Sequence, residues 1–491
     1  MIAAEVRQGR WADSARLMAA ARAAEGEPGV VRASCFMATP ANLDAARELG
    51  LWHEAMRGAG PDDLVLVAEG DDPEAGLATA ARHLEAGARP ASTGLGAAPP
   101  APRSLAAVRA DLAVVSVPGE YAALEAHKAL EAGMDVLLFS DGVTLEDEVA
   151  LKRRARALGR LVMGPGAGTA ILSGVGLGFA NVVARGPVGV VAAAGTGAQE
   201  VTCLLDRFGS GITDCYGTGG RDLHREVGAV SALTAVERLA ADPGTRIVLC
   251  VSKPPDPDVA EVVLAALAGS GKPAVACMIG GGVDAAPAGV TLAATLEEAA
   301  LAAARAAGAT DLPRPATPEV DWVVPGAVRG LFSGGTLCSE AAAILAAGLG
   351  RVASNAPAGG AVWLAPGEEP RGHAVIDMGE EEFTRGRPHP MIDLEPRVER
   401  LVREAADHEV GVILLDVVLG YASHPDPASA LAPAIRDALA ARPNLAVVVH
   451  VCGTPGDPQG LERQEAALAA AGARLCPTNA RAARLAAALV G

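Results

Sequence analysis

Short, continuously apolar runs recur along the chain, and most end in a glycine-rich turn that leads into a segment with helical spacing of its hydrophobic positions. Over residues 2–86 the runs "IAAEV", "VVRASCFMA" and "DLVLVAEG" alternate with the helix-like "ADSARLMAAARAAEG", "NLDAARELG" and "PEAGLATAARHLEAG". This predicts a small α/β unit over residues 1–87, of ferredoxin-like or split type. Residues 88–104, "ARPASTGLGAAPPAPRS" with its surroundings, lack periodicity and are rich in Pro, Gly, Ala and Ser, which predicts a flexible linker. The run from "DLAVVSV" through "EYAALEAHKALEAG", "DVLLFS" and "LEDEVALKRRARALG" to "LVMG" has a βαβαβ rhythm and predicts parallel strands over residues 105–185. The beat repeats over residues 186–312 ("VGVVAAAG", "RIVLCVS", "PAVACMIG") and again over 313–491 ("GLFSGGT", "VGVILLDVVLG", "LAVVVHVCG"). Strands this apolar are expected where helices cover both faces, so the fold class is α/β with doubly wound parallel sheets.

The 491 residues suffice for three or four compact units, and an aromatic share of 3% puts the burden of packing on Ala, Val and Leu. A net charge of −17 argues against nucleic acid and anionic membranes as partners and makes a small-molecule ligand the expectation, with a small anionic substrate as the partner. Eight cysteines lie scattered with no C-x-x-C pair, so no metal site is expected and the thiols are expected to be reduced. The first residues offer no signal-peptide core and no later stretch is apolar enough to span a bilayer; a soluble, cytoplasmic protein is expected.

Chemistry concentrates at the turns, because in open parallel sheets ligands sit beyond the carboxyl ends of strands. Four turns qualify: "AGTGAQE" with Gly195, Thr196 and Gly197; "YGTGGRD" with Gly219, Gly220, Arg221 and Asp222; "FSGGTLCSE" with Ser333, Gly334, Gly335 and Thr336; and "GRPHPMID" with Gly386, Arg387 and His389. Glycines after strands are also common simply because tight turns need positive φ. None fits the P-loop or dinucleotide fingerprints. Pro390 fits the first turn of a helix, which would leave Arg387 and His389 at its positive end, Arg387 to fork onto phosphate or carboxylate and His389 to handle a proton or merely cap. Lys253, in "CVSKPP", stands at a strand end where two prolines forbid an immediate helix. Arg221 and Asp222 either border the crevice or belong to a solvated charged loop. His424, Asp426 and Asp457 are explained by turn chemistry.

The pieces "SVPGEYAALEAHKALEAGMDVLLFSDGVTLEDE", "VMGPGAGTAI", "GTGAQEV", "GTGGRDLHREVG", "VSKPP", "FSGGTLCSEAA" and "GRPHPMIDLEP" together resemble the FdrA family over nearly the whole chain. That family is similar to the succinyl-CoA synthetase superfamily, which implies a CoA-binding-type Rossmann domain (105–185) followed by two flavodoxin-like domains (186–312 and 313–491). In such synthetases two helix N-termini point at one phosphohistidine; the resemblance places these at "GTGAQE" and "GRPHPMID". The loop that carries the histidine corresponds to "GVDAAPAGVTLA", which has none, and Lys253 stands where a glutamate steadies it. The resemblance further implies a subunit of an oxamate carbamoyltransferase, working with other subunits in allantoin breakdown to interconvert oxalurate plus phosphate with oxamate plus carbamoyl phosphate. On this reading Gly195, Thr196, Gly197, Gly386 and Arg387 bind phosphate with Ser333–Thr336 nearby, His389 and Lys253 are catalytic, and Gly219, Gly220, Arg221 and Asp222 meet the substrate. No cofactor is required, and the missing counterpart of the first Gly-rich CoA loop counts against CoA. The alternatives are an acyl-CoA synthetase or CoA-transferase subunit whose partner supplies the nucleotide domain, and a non-catalytic scaffold or ligand-sensing subunit.

Overall fold

In Leu64–Gly70 the apolar side chains point both ways: Leu64, Leu66 and Ala68 pack with Leu17, Ala20, Leu77 and Ala80, whereas Val65 and Val67 pack with Ala46, Leu51 and Met56. A strand apolar on both faces has to be covered twice. Accordingly the antiparallel sheet Ile2–Arg7, Leu64–Gly70, Val30–Met37 carries helices Ser14–Glu25 and Pro73–Ala86 on one side, and helix Pro40–Glu48 with the short turn Glu54–Met56 on the other. The computed structural model describes all residues except 13, 87–103, 282, 284, 315–319, 321 and 386, and of residues 14, 15, 41 and 106 only the backbone. The expected linker therefore lies, apart from Ser104, outside the described residues.

The chain forms two compact units, residues 1–101 with 384–388, and residues 102–383 with 389–491. Within the second are three sheets. Leu112–Val115, Asp135–Leu138 and Val162–Met163 form a small parallel sheet flanked by helices Gly119–Glu131 and Leu145–Ala157. A seven-stranded sheet runs Val290–Leu292, Ala274–Met278, Ile247–Ser252, Arg185–Ala193, Ile212–Gly217, Thr169–Leu172, Val175–Gly178; its last two strands are antiparallel. The hairpin 169–178, which the sequence rhythm assigns to the Rossmann-like segment, is thus hydrogen-bonded into this middle sheet. The third sheet is wholly parallel: Val362–Trp363, Val352–Ser354, His373–Asp377, Ala327–Phe332, Val410–Val418, Ala446–Cys452, Arg474–Cys476.

Helices Gly195–Arg207, Leu296–Ala306, Gly335–Leu349 and Asn479–Val490 share one continuous apolar cluster with strands of both large sheets. That explains why Thr196 to Leu205 are all buried: a helix with sheets on two sides and helices beside it has no solvent face. No helix among the described residues is long and apolar enough to cross a membrane. All eight cysteines are buried free thiols.

Candidate functional site

The helices Gly195–Arg207 and Gly335–Leu349 start directly at strand ends and meet head to head. Thr336 N–H donates to Thr196 Oγ1 at 3.3 Å. The approach needs glycine: a Cβ on Gly334 would lie 2.7 Å from Thr196 Oγ1, and one on Gly197 would lie 2.7 Å from Thr336 Cγ2. Neither helix is capped by its own N-cap residue, Ala194 or Gly334; Thr196 Oγ1 takes only the Thr336 amide. Each N-terminus carries about half a positive charge, so their apposition calls for negative charge in between. One buried hydroxyl at this place, Thr336 Oγ1, has no hydrogen-bond partner, an unmet capacity that a bound anion would fill.

Lys253 follows Ser252 at its strand end and is 33% exposed, with Nζ 3.9 Å from Glu380 Oε1. The third sheet contributes Asp377, the last residue of its strand. The side chain of Asn355 pairs with the backbone of Asp377 through both its amide atoms, at 2.8 and 2.9 Å, which fixes the strand end. Asp377 Oδ1 accepts Gly379 N–H at 2.9 Å; Oδ2 turns toward Gly335, where Lys253 Nζ also converges, 2.8 Å from where a Cβ would stand. Burial pushes the Asp377 carboxyl up to about 6, Lys253 opposing and Glu380 and Asp416 reinforcing the rise. His389 Nε2, Asp377 Oδ1 and Ser333 O all lie within 3.1 Å of the place a Gly379 Cβ would take.

Several expected site residues have other duties. Ser333 N–H and Gly334 N–H donate to the two oxygens of Asp416, each at 2.8 Å, and buried Arg397 grips Asp416 Oδ1 at 2.9 Å. Those two amides already hold a carboxylate, so they are not phosphate ligands; of that turn, Gly335 and Thr336 face the crevice contact. The helix after "GRPHPMID" begins at Glu395, eight residues beyond Arg387, so neither Arg387 nor His389 sits at a helix start. Arg387 groups with the first compact unit and Gly386 lies outside the described residues. The partner of the Gly195 turn is thus the Ser333–Thr336 turn.

His389 is drawn in without the helix dipole. Its Nδ1 accepts Met391 N–H at 3.2 Å, and burial, with Arg397 adding to it and Asp416 opposing, pushes the ring down to about 4. A ring lowered in this way is neutral at pH 7, and with Nδ1 accepting, its proton sits on Nε2. Asp222 is fully buried: Oδ1 meets Lys152 Nζ at 2.8 Å and both oxygens accept amides at the start of helix Val230–Ala241. Arg221 donates to Glu148 Oε2 and Val143 O. Gly219 closes onto the Gly164–Pro165 backbone, and beside Gly220 there is open space. Asp222 is a structural ion, not a substrate contact.

Behind the helix starts a second buried set ties the two large sheets together. Glu200 Oε2 and His450 Nε2 are 2.8 Å apart; burial opposes the charge on His450, but the carboxylate outweighs it and raises the imidazole to about 10. Asn479 Nδ2 bonds Glu340 Oε2 at 2.8 Å, and burial lifts Glu340 to about 7. The sequence reading overlooked Glu200, Glu340, Asp377, Asp416 and His450; the signal available was a single charged residue inside or ending an apolar strand or helix start, as in "VILLDVV" and "HAVID". Among the described residues no cluster could hold a metal ion.

Parallel sheets joined by a buried helix layer, with two helix starts in contact, define a doubly wound α/β protein. Residues 331–489 match the CoA-ligase family, and residues 1–99 match the family described as AllF, heavy metal-associated domain. The chain belongs to the family of YahF of Escherichia coli (strain K12), described as an uncharacterized protein, with which it is 36% identical over 494 residues, covering 96% of each chain. It is 28% identical over 143 residues to the alpha subunit of the ADP-forming succinate–CoA ligase of Methanothermobacter thermautotrophicus, covering 28% of this chain and 47% of that subunit. The ADP-forming sulfoacetate-CoA ligase subunit SauD of Bilophila wadsworthia is 30% identical over 118 residues, 23% of this chain and 40% of the relative. Less than half of either ligase subunit is therefore spanned. The solved acetyl-coenzyme A synthetase 1 of Ca. Korarchaeum cryptofilum aligns over 79% of this chain and 84% of its own, at 16% identity and a TM-score of 0.33.

Proposed function

We propose that the second unit binds an acyl phosphate across the two helix starts and serves, as one subunit, an enzyme of acyl-CoA-synthetase type whose nucleotide-binding part comes from a partner. The observation that carries this is the head-to-head contact of two helices without caps from their own N-cap side chains, Thr336 N–H to Thr196 Oγ1, beside Lys253. Positive helix ends and a lysine stabilise charge on a phosphoryl group and on the oxyanion formed when its acyl carbon is attacked. In this reading Gly195, Thr196, Gly197, Gly335 and Thr336 hold the phosphate, and Lys253 neutralises it.

A second reading, carbamoyl transfer, is favoured by one observation: "GVDAAPAGVTLA" has no histidine to carry a phosphoryl group, and Lys253 occupies the strand end beside the helix starts. Without that relay, phosphate itself attacks the carbamoyl carbon of oxalurate, giving carbamoyl phosphate and oxamate. This is the activity that the FdrA resemblance implies, with other subunits completing the enzyme and no cofactor required.

Transfer assays separate the two. The chain, alone and with the products of neighbouring genes, is incubated with acetyl phosphate plus CoA and with carbamoyl phosphate plus oxamate, and products are followed by mass spectrometry. Thioester supports the ligase reading and oxalurate the carbamoyl reading. Phosphate binding without either product supports a ligand-sensing subunit instead.

A further inference from the structure

We propose that Asp377 is the acid–base residue of this site, taking the proton from the acceptor when the acyl group leaves phosphate and returning it in reverse. The inference rests on the acyl-phosphate reading. The side chain is held as a catalytic carboxylate has to be: Asn355 fixes its backbone, Gly379 N–H fixes Oδ1, and Oδ2 remains turned toward Gly335, the first residue of the helix, where Lys253 Nζ converges. Unpartnered Thr336 Oγ1, in a residue 1% exposed, marks the same place as one built for a ligand.

The step balances in both readings. An acceptor X–H, a thiol or an amide, attacks the acyl carbon; the C–X bond forms and the C–O bond to phosphorus breaks. The bond's electron pair leaves with phosphate, and the X–H proton passes to Oδ2. In reverse, protonated Asp377 supplies the proton that an amide nitrogen needs in order to leave. The charged groups that act on Asp377 are Lys253 from the middle sheet, Glu380 after its own strand and Asp416 from strand Val410–Val418; His389 Nε2 and Asp377 Oδ1 both flank Gly379. Burial with these neighbours places the carboxyl near 6, close to the working range of a general base.

Asp377→Asn keeps shape and removes the proton-accepting oxygen. With the acceptor that the wild type uses, the expected loss of transfer is roughly 10²- to 10⁴-fold, with phosphate binding by calorimetry retained. The wild-type rate is expected to fall as pH drops through about 6, and this acid limb is expected to vanish in Asp377→Asn and to persist, shifted, in Asp377→Glu. A readout free of turnover is the ¹³C shift of the Asp377 carboxyl: adding inorganic phosphate raises its midpoint, because a second anion disfavours the charged form. Near-wild-type transfer in Asp377→Asn with the acid limb intact, or a midpoint unmoved by bound phosphate, overturns the inference while the binding reading stands. A wild type that binds no phosphate overturns both.

Discussion

Two clusters of charge lie at strand ends in this protein, and they behave in opposite ways. Around Asp222, each charge finds its counter-charge inside the fold: Lys152 Nζ meets Glu148 and Asp222 at 2.8 Å each, and Arg221 closes on Glu148 at 2.9 Å. Around Lys253, two helix starts without caps from their own N-cap side chains face each other, and Lys253, a third exposed, has the Glu380 carboxylate only at 3.9 Å. Charge density alone does not separate a site from a brace; a solvent-reachable cation beside two converging helix starts does.

The largest expected effect lies in the brace. Asp222→Ala removes one of the two carboxylates that hold buried Lys152 and orphans the Ser231 and Ala232 amides, and is expected to lower the free energy of unfolding by about 3–5 kcal/mol, as seen by urea titration. Lys253→Met, at the site, is expected to stay within about 1 kcal/mol of wild type. Next, Gly334→Ala drives a methyl group into Thr196 and is expected to cost about 1–3 kcal/mol while weakening phosphate binding.

Asp377→Asn is expected to do the reverse. A carboxyl raised to about 6 in the folded chain, against an ordinary 3.8, binds more protons folded than unfolded. Its favourable contribution is complete below pH 3.8 and is lost as pH rises through 6. The amide variant should therefore be more stable than wild type at pH 8 by about 2–3 kcal/mol, the gain fading toward pH 4 in thermal melts at a series of pH values. A gain that persists unchanged at pH 4 would show the carboxyl is not strained by burial. The smallest effect belongs to the exposed pair Arg225 and Asp258, where Arg225→Ala is expected to leave the melting temperature unresolved from wild type.

The sequence made the scaffold legible because buried parallel strands read as apolar runs and their turns as glycines. "GTGAQE" and "FSGGTLCSE" were visible for the same reason, and Lys253 because two prolines follow it. Their pairing was not visible. "GRPHPMID" carries the local marks of a helix start, yet the helix begins at Glu395, since proline at a first turn is permitted in many bends as well. Ser333 and Gly334 look like anion ligands until Asp416, 82 or more positions away in the chain, is seen to occupy their amides. Asp377 and His450 owe their roles to neighbours on other elements far along the chain, and partnerships at such separations leave no local pattern.

The central claim is that the paired helix starts and Lys253 hold one phosphate-type anion, and calorimetric titration of inorganic phosphate into wild type, Lys253→Met and Arg221→Ala tests it most directly. The expected result is one site per chain in wild type and Arg221→Ala, weakened about tenfold or more in Lys253→Met. Equal binding in all three proteins, or loss only in Arg221→Ala, would contradict it.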